Sequence, residues 1–303
     1  MTQTSIPDAG HDRLLRFLID RAGVRGVHVR LDAAWQQIRE RETYPAPAAE
    51  LLGHACAAAA LFTGHAKVDG RLSVQLRSDG AIRTLFVECT AAGTLRGLVQ
   101  VADAPGRTVS ADLRDLGPGA ILAITIENHG PFADEPVRYQ GLVPLEARRL
   151  NGAFEDYFRQ SEQLPTRILL AANEFTCAGL MLQKLPGDEG DEDGWDRIGM
   201  LSDTLSPAEL LEATGEVVLH RLFHEDTVQI LGGRPLSFAC SCSQGRVESM
   251  LVALGIDEAR LAAESGQAEV RCEFCGQRYG FSAAEVEGLF QAPEAMPPPA
   301  RLQ

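Results

Sequence analysis

The chain has 303 residues, 45% of them hydrophobic and 23% charged, so it can bury a substantial core and should divide into about two or three units. A formal net charge of −14 removes the basic surface on which nonspecific binding to nucleic acid or to an anionic membrane relies, and neither is an expected partner. No basic cluster followed by an apolar run marks the first residues, no stretch approaches the roughly 20 apolar residues of a membrane span, and the seven cysteines are an odd number, so a reducing cytoplasm is the expected location.

Leu14, Leu15, Leu18 and Ile19 recur at helical spacing and predict a helix over residues 12–21. Val27, Val29 and Leu31 alternate as a strand does, and after the turn at Tyr44-Pro45-Ala46-Pro47 an Ala-rich helix is predicted over 48–62. Apolar or β-branched runs bounded by glycine or proline predict strands at 72–76, 82–88, 98–102, 121–127 and 137–143. A helix over 147–163 carries Leu150, Phe154, Tyr157 and Phe158 to cover that sheet, and a last strand follows Pro165 at 167–171. The expected fold class is α+β, with a mostly antiparallel core sheet and covering helices over residues 1–180.

Composition changes after Lys184, where Asp188, Glu189, Asp191, Glu192, Asp193 and Asp196 crowd together and read as a solvated loop. Ser206-Pro207-Ala208-Glu209 supplies an N-cap, a proline at the first helical position and a capping-box glutamate, starting a helix through Leu210, Leu211, Val217, Val218 and Leu222. Gly215 and the β-branched Thr214, Val217 and Val218 lower its intrinsic propensity, so it should depend on docking to stay folded. Residues 181–235 are therefore expected to form a metastable helical linker. In a small C-terminal domain over 236–291, Val247, Met250, Leu251 and Leu254 predict a helix stopped by Gly255, and Ser282-Ala283-Ala284-Glu285 caps another. The proline-rich tail, 292–303, is expected to be disordered.

The chemistry of the chain is concentrated in Cys240-Ser241-Cys242 and Cys272-Glu273-Phe274-Cys275. Two cysteine pairs joined by a folded spacer can offer four thiolates in a tetrahedron, the arrangement Zn2+ prefers, and the glycine after Cys275 lets the backbone turn its amides toward sulfur. One zinc ion per chain is expected on Cys240, Cys242, Cys272 and Cys275. A static zinc that only holds a small fold together is the commonest meaning of such pairs, and it stands beside any functional reading. Cys56, Cys89 and Cys177 lie singly among apolar neighbours and read as inert core thiols. No Walker loop occurs, Gly232-Gly233 lacks the setting of a dinucleotide fingerprint, and His220 and His224 lack the glutamate of a zinc-protease helix. With no nucleophile and base set in view, an enzyme is not expected. The alternatives are a static zinc-stabilised protein-binding module and a thiol–disulfide oxidoreductase using Cys272 and Cys275, although the strand–motif–helix setting of thioredoxin-like proteins is missing before them.

Beyond the cysteines, Tyr44-Pro45, Gly70-Arg71-Leu72-Ser73-Val74-Gln75-Leu76 with Asp79-Gly80, Tyr139-Gln140-Gly141 and Ser161-Glu162-Gln163-Leu164-Pro165-Thr166 give the chain a pattern that resembles the heat shock protein 33 family over nearly its whole length. The resemblance implies a core domain, a helical linker and a zinc domain, with ATP-independent holding of unfolding client proteins that is inactive in the reduced zinc form and switched on by oxidants. It implies redox-active disulfides Cys240–Cys242 and Cys272–Cys275 on oxidation, and a homodimer as the active form. Zinc loss should unfold the small domain, because neither short disulfide loop replaces the metal; the linker would then melt and expose Leu210, Leu211, Val217, Val218 and Leu222 to clients. The acidic insert and the proline-rich tail are features particular to this chain.

Overall fold

The structure is a computed structural model that describes residues 12–102, 109–130, 136–187 and 190–290. It resolves into two compact units that meet in sequence between Ala239 and Cys240. The 292–303 tail, and Asp188 and Glu189 of the acidic run, lie outside the described residues.

The first unit runs β1 (Arg13–Ile19), β2 (Val24–Leu31), α1 (Ala33–Arg39), α2 (Ala46–His65), β3 (Arg71–Arg77), β4 (Ile82–Thr90), β5 (Thr94–Val101), β6 (Ile121–Asn128) and β7 (Val137–Val143). It continues with α3 (Leu150–Ser161), β8 (Thr166–Ala172), β9 (Cys177–Lys184), α4 (Gly194–Asp203), α5 (Pro207–Glu212), α6 (Gly215–Phe223), β10 (Val228–Pro235) and β11 (Ser237–Phe238). Two sheets form, one ordered β10-β1-β2-β9-β8 and the other β11-β5-β4-β3-β6-β7, antiparallel throughout except where β11 runs parallel to β5.

Helix α2 packs against strands of both sheets, which explains its composition: alanines on every side let the sheets approach, and Leu51, Leu52, Leu61 and Phe62 fill what remains. Its 20 residues are long and apolar enough to cross a membrane, contrary to the sequence expectation that no stretch comes near that length, but most of the helix is enclosed in the core. Phe62 meets Phe154 and Phe158 edge-on at ring separations of 4.9 and 5.2 Å, joining α3 to the same core as expected for a covering helix.

The segment expected to open the chain as a helix is strand β1. Its register with β2 and β10 places Leu14 toward α2, while Phe17 and Ile19 enter a second core on the opposite face. A strand buried on both faces loses its polar alternation, and its apolar run then imitates a helical stripe. Part of the acidic run is also not a loop: Gly194–Asp203 is helical, with Ile198 buried. Arg197 gathers Asp191, Asp193 and the buried Asp226 around one guanidinium. The single helix expected from Ser206 onward is two, α5 and α6, broken at Ala213-Thr214, while the Ser206–Glu209 capping box forms as expected. The 181–235 interval begins inside β9 and ends in β10, so its helical part is confined to 194–223.

These three helices cover one face of the five-stranded sheet. Ile198, Leu210, Leu211, Val218, Leu219, Leu222 and Phe223 share a core with Phe17, Ile19, Val24, Leu180 and Leu182. The Arg30 guanidinium on β2 donates to the carbonyls of Leu211 and Ala213, and Arg13 pairs with Glu216 at 2.6 Å. Gly215 is required for the approach of α6: a Cβ there would stand 2.6 Å from both His28 Nδ1 and Leu15 Cδ1.

His28 itself is 1% exposed beneath α6, and its Nε2 has no hydrogen-bond partner among the described residues. Burial, reinforced by Arg30, lowers its pKa from 6.5 to about 4. The ring is thus neutral while covered and takes a proton more readily once α6 lifts away, so stability falls as pH drops from 6.5 through about 4. Hydrogen exchange of the α5–α6 amides should show the covered state losing about 2 kcal/mol between pH 7.5 and pH 5. His28→Leu should flatten most of that dependence.

Candidate metal centre

The second unit consists of α7 (Gln244–Leu254), α8 (Ile256–Ala263), β12 (Gln267–Arg271), β13 (Arg278–Ser282) and α9 (Ala283–Leu289). Ser243 Oγ accepts from the Arg246 amide to start α7, Gly255 at φ +94° ends it, and Ser282 with Glu285 forms the expected capping box at α9. The buried apolar core comprises Val247, Leu251, Ala259, Ala263, Ala268, Phe281 and Val286, several of them small. The hairpin β12–β13 pairs Arg271 with Arg278 and holds Cys272 and Cys275 in its connecting turn.

That turn is built by the backbone. The Cys272 amide donates to the Gln277 carbonyl and the Gly276 amide to the Cys272 carbonyl, both at 2.8 Å, with Gly276 left-handed at φ +72°. The first pair lies in the segment before α7, where the Arg246 guanidinium donates to the Ser241 carbonyl at 2.9 Å and to its hydroxyl at 2.6 Å. The lone residue between Cys240 and Cys242 is thereby anchored, and the two sulfurs flank it.

The result is a cluster of four half-buried thiols whose sulfurs all lie within 4.8 Å of one another. Cys240 Sγ stands 3.7 Å from Cys272 Sγ, and Cys242 Sγ 3.3 Å from Cys275 Sγ. Zinc–sulfur bonds of about 2.3 Å in a tetrahedron would set the sulfurs roughly 3.8 Å apart, so the four fit a zinc ion with only small adjustment. Burial raises the Cys240 thiol, and burial followed by the other thiols pushes Cys275 up to about 12. At Cys242 burial acts in the same sense but is outweighed by the Tyr279 hydroxyl, 3.1 Å away, and by the neighbouring thiols, which bring it down to about 7. Of the four, Cys242 is therefore the sulfur whose thiolate form its surroundings favour.

The other three cysteines take no part. Cys56, Cys89 and Cys177 are fully buried in the core of the first unit, where desolvation raises all three thiols, Cys89 to about 11. Of the residues expected to meet clients, Leu210, Leu211, Val218 and Leu222 are buried against the five-stranded sheet, whereas Val217 points outward and is 39% exposed. Leu219 and Phe223 belong to the same buried face and were not picked out by the sequence pattern, although both follow from the i, i+4 spacing, Leu219 four after Gly215 and Phe223 four after Leu219, once α6 is known to start there.

A family model described as Hsp33 protein matches residues 12–282. A 33 kDa chaperonin of Chromobacterium violaceum is 40% identical over 282 residues, covering 92% of this chain and 94% of the relative. One of Pseudomonas aeruginosa is 41% identical over 286 residues with the same coverage of both. Among solved structures, the crystal structure of the 33 kDa chaperonin from Thermotoga maritima superimposes with a TM-score of 0.74 at 22% identity, over 92% of this chain and 98% of that one, which shows a common fold. By the extent of the family match and the identity to these relatives, the chain belongs to the Hsp33 family.

Proposed function

We propose that the protein is an ATP-independent chaperone whose zinc site is its redox sensor: the reduced, metal-bound form is inactive, and oxidation of the four cysteines turns it into a holdase for unfolding proteins. The observation that carries this reading is the pairing of four half-buried sulfurs with a very small apolar core in the same unit. Bound zinc would supply tetrahedral crosslinking of the Cys240–Cys242 segment to the β12–β13 turn. A structural zinc is worth roughly 10–16 kcal/mol of folding free energy, whereas a core of this size supplies no more than about 3–5 kcal/mol. The folding of the unit is in that sense held by its thiolates, and thiolates are what oxidants consume.

Oxidation would proceed to Cys240–Cys242 and Cys272–Cys275, the pairs that the family resemblance implies and the ones that close the shortest loops once the unit loses order. Loops that short restore little of the lost constraint. Unfolding would then spread to the 207–223 helices, followed in the chain by β10, β11 and Cys240 itself, and uncover the apolar face carrying Leu210, Leu211, Val218 and Leu222, with Val217 already at the surface. Partners of the active form are unfolded clients and, in keeping with the family resemblance, a second copy of the chain. The position of Cys272 and Cys275 in a hairpin turn favours this reading over an oxidoreductase, whose attacking thiol is usually activated at a helix N-terminus.

An aggregation assay with a thermally unfolding client tests the proposal. Light scattering should be suppressed by the peroxide-treated, metal-free protein and left unchanged by the reduced zinc form at the same concentration. Equal protection by both forms would eliminate the switch.

A further inference from the structure

Tyr279 is the second residue of β13, opposite Val270 of β12, and its ring packs on the core of the small unit. From there its hydroxyl donates to Cys242 Sγ at 3.1 Å. The hairpin that presents Cys272 and Cys275 thus also reaches across to one sulfur of the other pair. We infer that Tyr279 is a positioning residue for the sensor: the hairpin holds its hydroxyl against the Cys242 sulfur, and that hydrogen bond damps the reactivity of the sulfur. The inference rests on Cys242 being a zinc ligand in the switch described above.

The physical argument concerns electron density at sulfur. Four thiolates around one divalent ion keep a surplus of negative charge, so bound sulfurs remain nucleophilic. A hydroxyl aimed at one of them withdraws density from the lone pair that would attack an oxidant, and it must be broken or bent aside before attack. In that attack a lone pair of Cys242 forms an S–O bond as the O–O bond of hydrogen peroxide breaks, releasing hydroxide and leaving a sulfenic acid. A second cysteine thiolate then displaces hydroxide from that sulfur to give the disulfide, so two thiolates are oxidised by two electrons for each peroxide reduced. Backbone amides serve other members of the set, Cys242's toward Cys240 and Gln277's toward Cys275, but these move only with the loop. Tyr279 is a side chain, and its oxygen can be removed while the ring stays in place.

The test uses full-length protein loaded with one zinc, wild type and Tyr279→Phe, labelled for short times with iodoacetamide and read cysteine by cysteine by mass spectrometry. Alkylation of Cys242 should be about 5- to 10-fold faster in the variant, the kinetic equivalent of one ordinary hydrogen bond, with the other three ligands changed less than about 2-fold. Zinc content and chelator competition should match wild type, which shows that the site is still assembled. An unchanged Cys242 rate would overturn the inference, as would a uniform acceleration of all four cysteines accompanied by weaker zinc retention, since that would mark Tyr279 as packing alone. A parallel peroxide arm separates the two readings. Zinc release should accelerate in the same proportion, whereas wild-type protein that keeps its zinc under peroxide while the alkylation contrast holds would sink the switch and leave the role of Tyr279 intact.

Discussion

Removing the metal with a chelator, or replacing Cys272 with serine, is expected to unfold residues 240–290 and to loosen α5 and α6, while the two sheets of the first unit stay folded. On the proposed reading the largest energy in the small unit would be the one its sulfurs contribute through zinc, roughly 10–16 kcal/mol, and no apolar group there could substitute for it. Val247, Leu251, Phe281 and Val286 are its larger buried side chains, three alanines complete the buried set, and Val270, Tyr279, Leu289 and Phe290 pack against it only partly buried. The first unit, by contrast, has two apolar clusters of its own built around α2 and beneath α4–α6. Limited proteolysis should therefore cut first between α7 and α9, and near-native circular dichroism should survive from the rest of the chain. A small unit that kept its protease resistance without metal would show that zinc is not what holds it.

The second large effect is expected at Phe223. Its side chain is 0% exposed at the end of α6, and truncation to alanine should cost about 3–5 kcal/mol of the packing that keeps α5 and α6 on the sheet. Both helices are short and β-branched residues recur in α6, so little intrinsic propensity resists that loss. Phe223→Ala should consequently protect clients in the reduced form with its full complement of zinc, whereas Val217→Ala at the exposed position should change stability by no more than about 0.5 kcal/mol. Zinc content, hydrogen exchange of the α5–α6 amides and client scattering, measured on the same samples, check both. If the zinc-loaded Phe223→Ala protein has unprotected α5–α6 amides and still fails to hold clients, the face beneath these helices is not the client surface.

How far the sequence could be read depended on how each segment is buried. The cysteine pairs announced a metal site because four thiols at short spacing have few other uses, and the structure brings all four together. Strands β3, β4 and β6 were legible because turn residues bound them and their outer faces keep polar residues such as Ser73, Gln75, Thr84 and Glu127. Strand β1 was not, because both its faces are covered. Strand β9 is buried almost end to end, and a run of small and apolar residues from Cys177 to Leu182 carries no period at all. Helix α4 was hidden by its own charges: the acidic residues that suggested a solvated loop instead surround Arg197 and the first turn, while Ile198 alone of its larger residues is fully buried. Helix α8 was missed for a related reason, since its buried positions, Ala259 and Ala263, are too small to stand out as an apolar stripe. The break at Ala213-Thr214 and the place of Gly215 follow from a tertiary demand, the need to clear His28 and Leu15, which no local propensity encodes.

The coupling of metal loss to uncovered apolar surface is tested most directly by following zinc, thiols and amide protection together as the protein is treated with peroxide at raised temperature. Release of one zinc and loss of four thiols per chain should coincide with collapse of hydrogen-exchange protection across α5 and α6, while the strands of both sheets stay protected. Zinc and thiols lost with the amides of residues 207–223 still protected would contradict it.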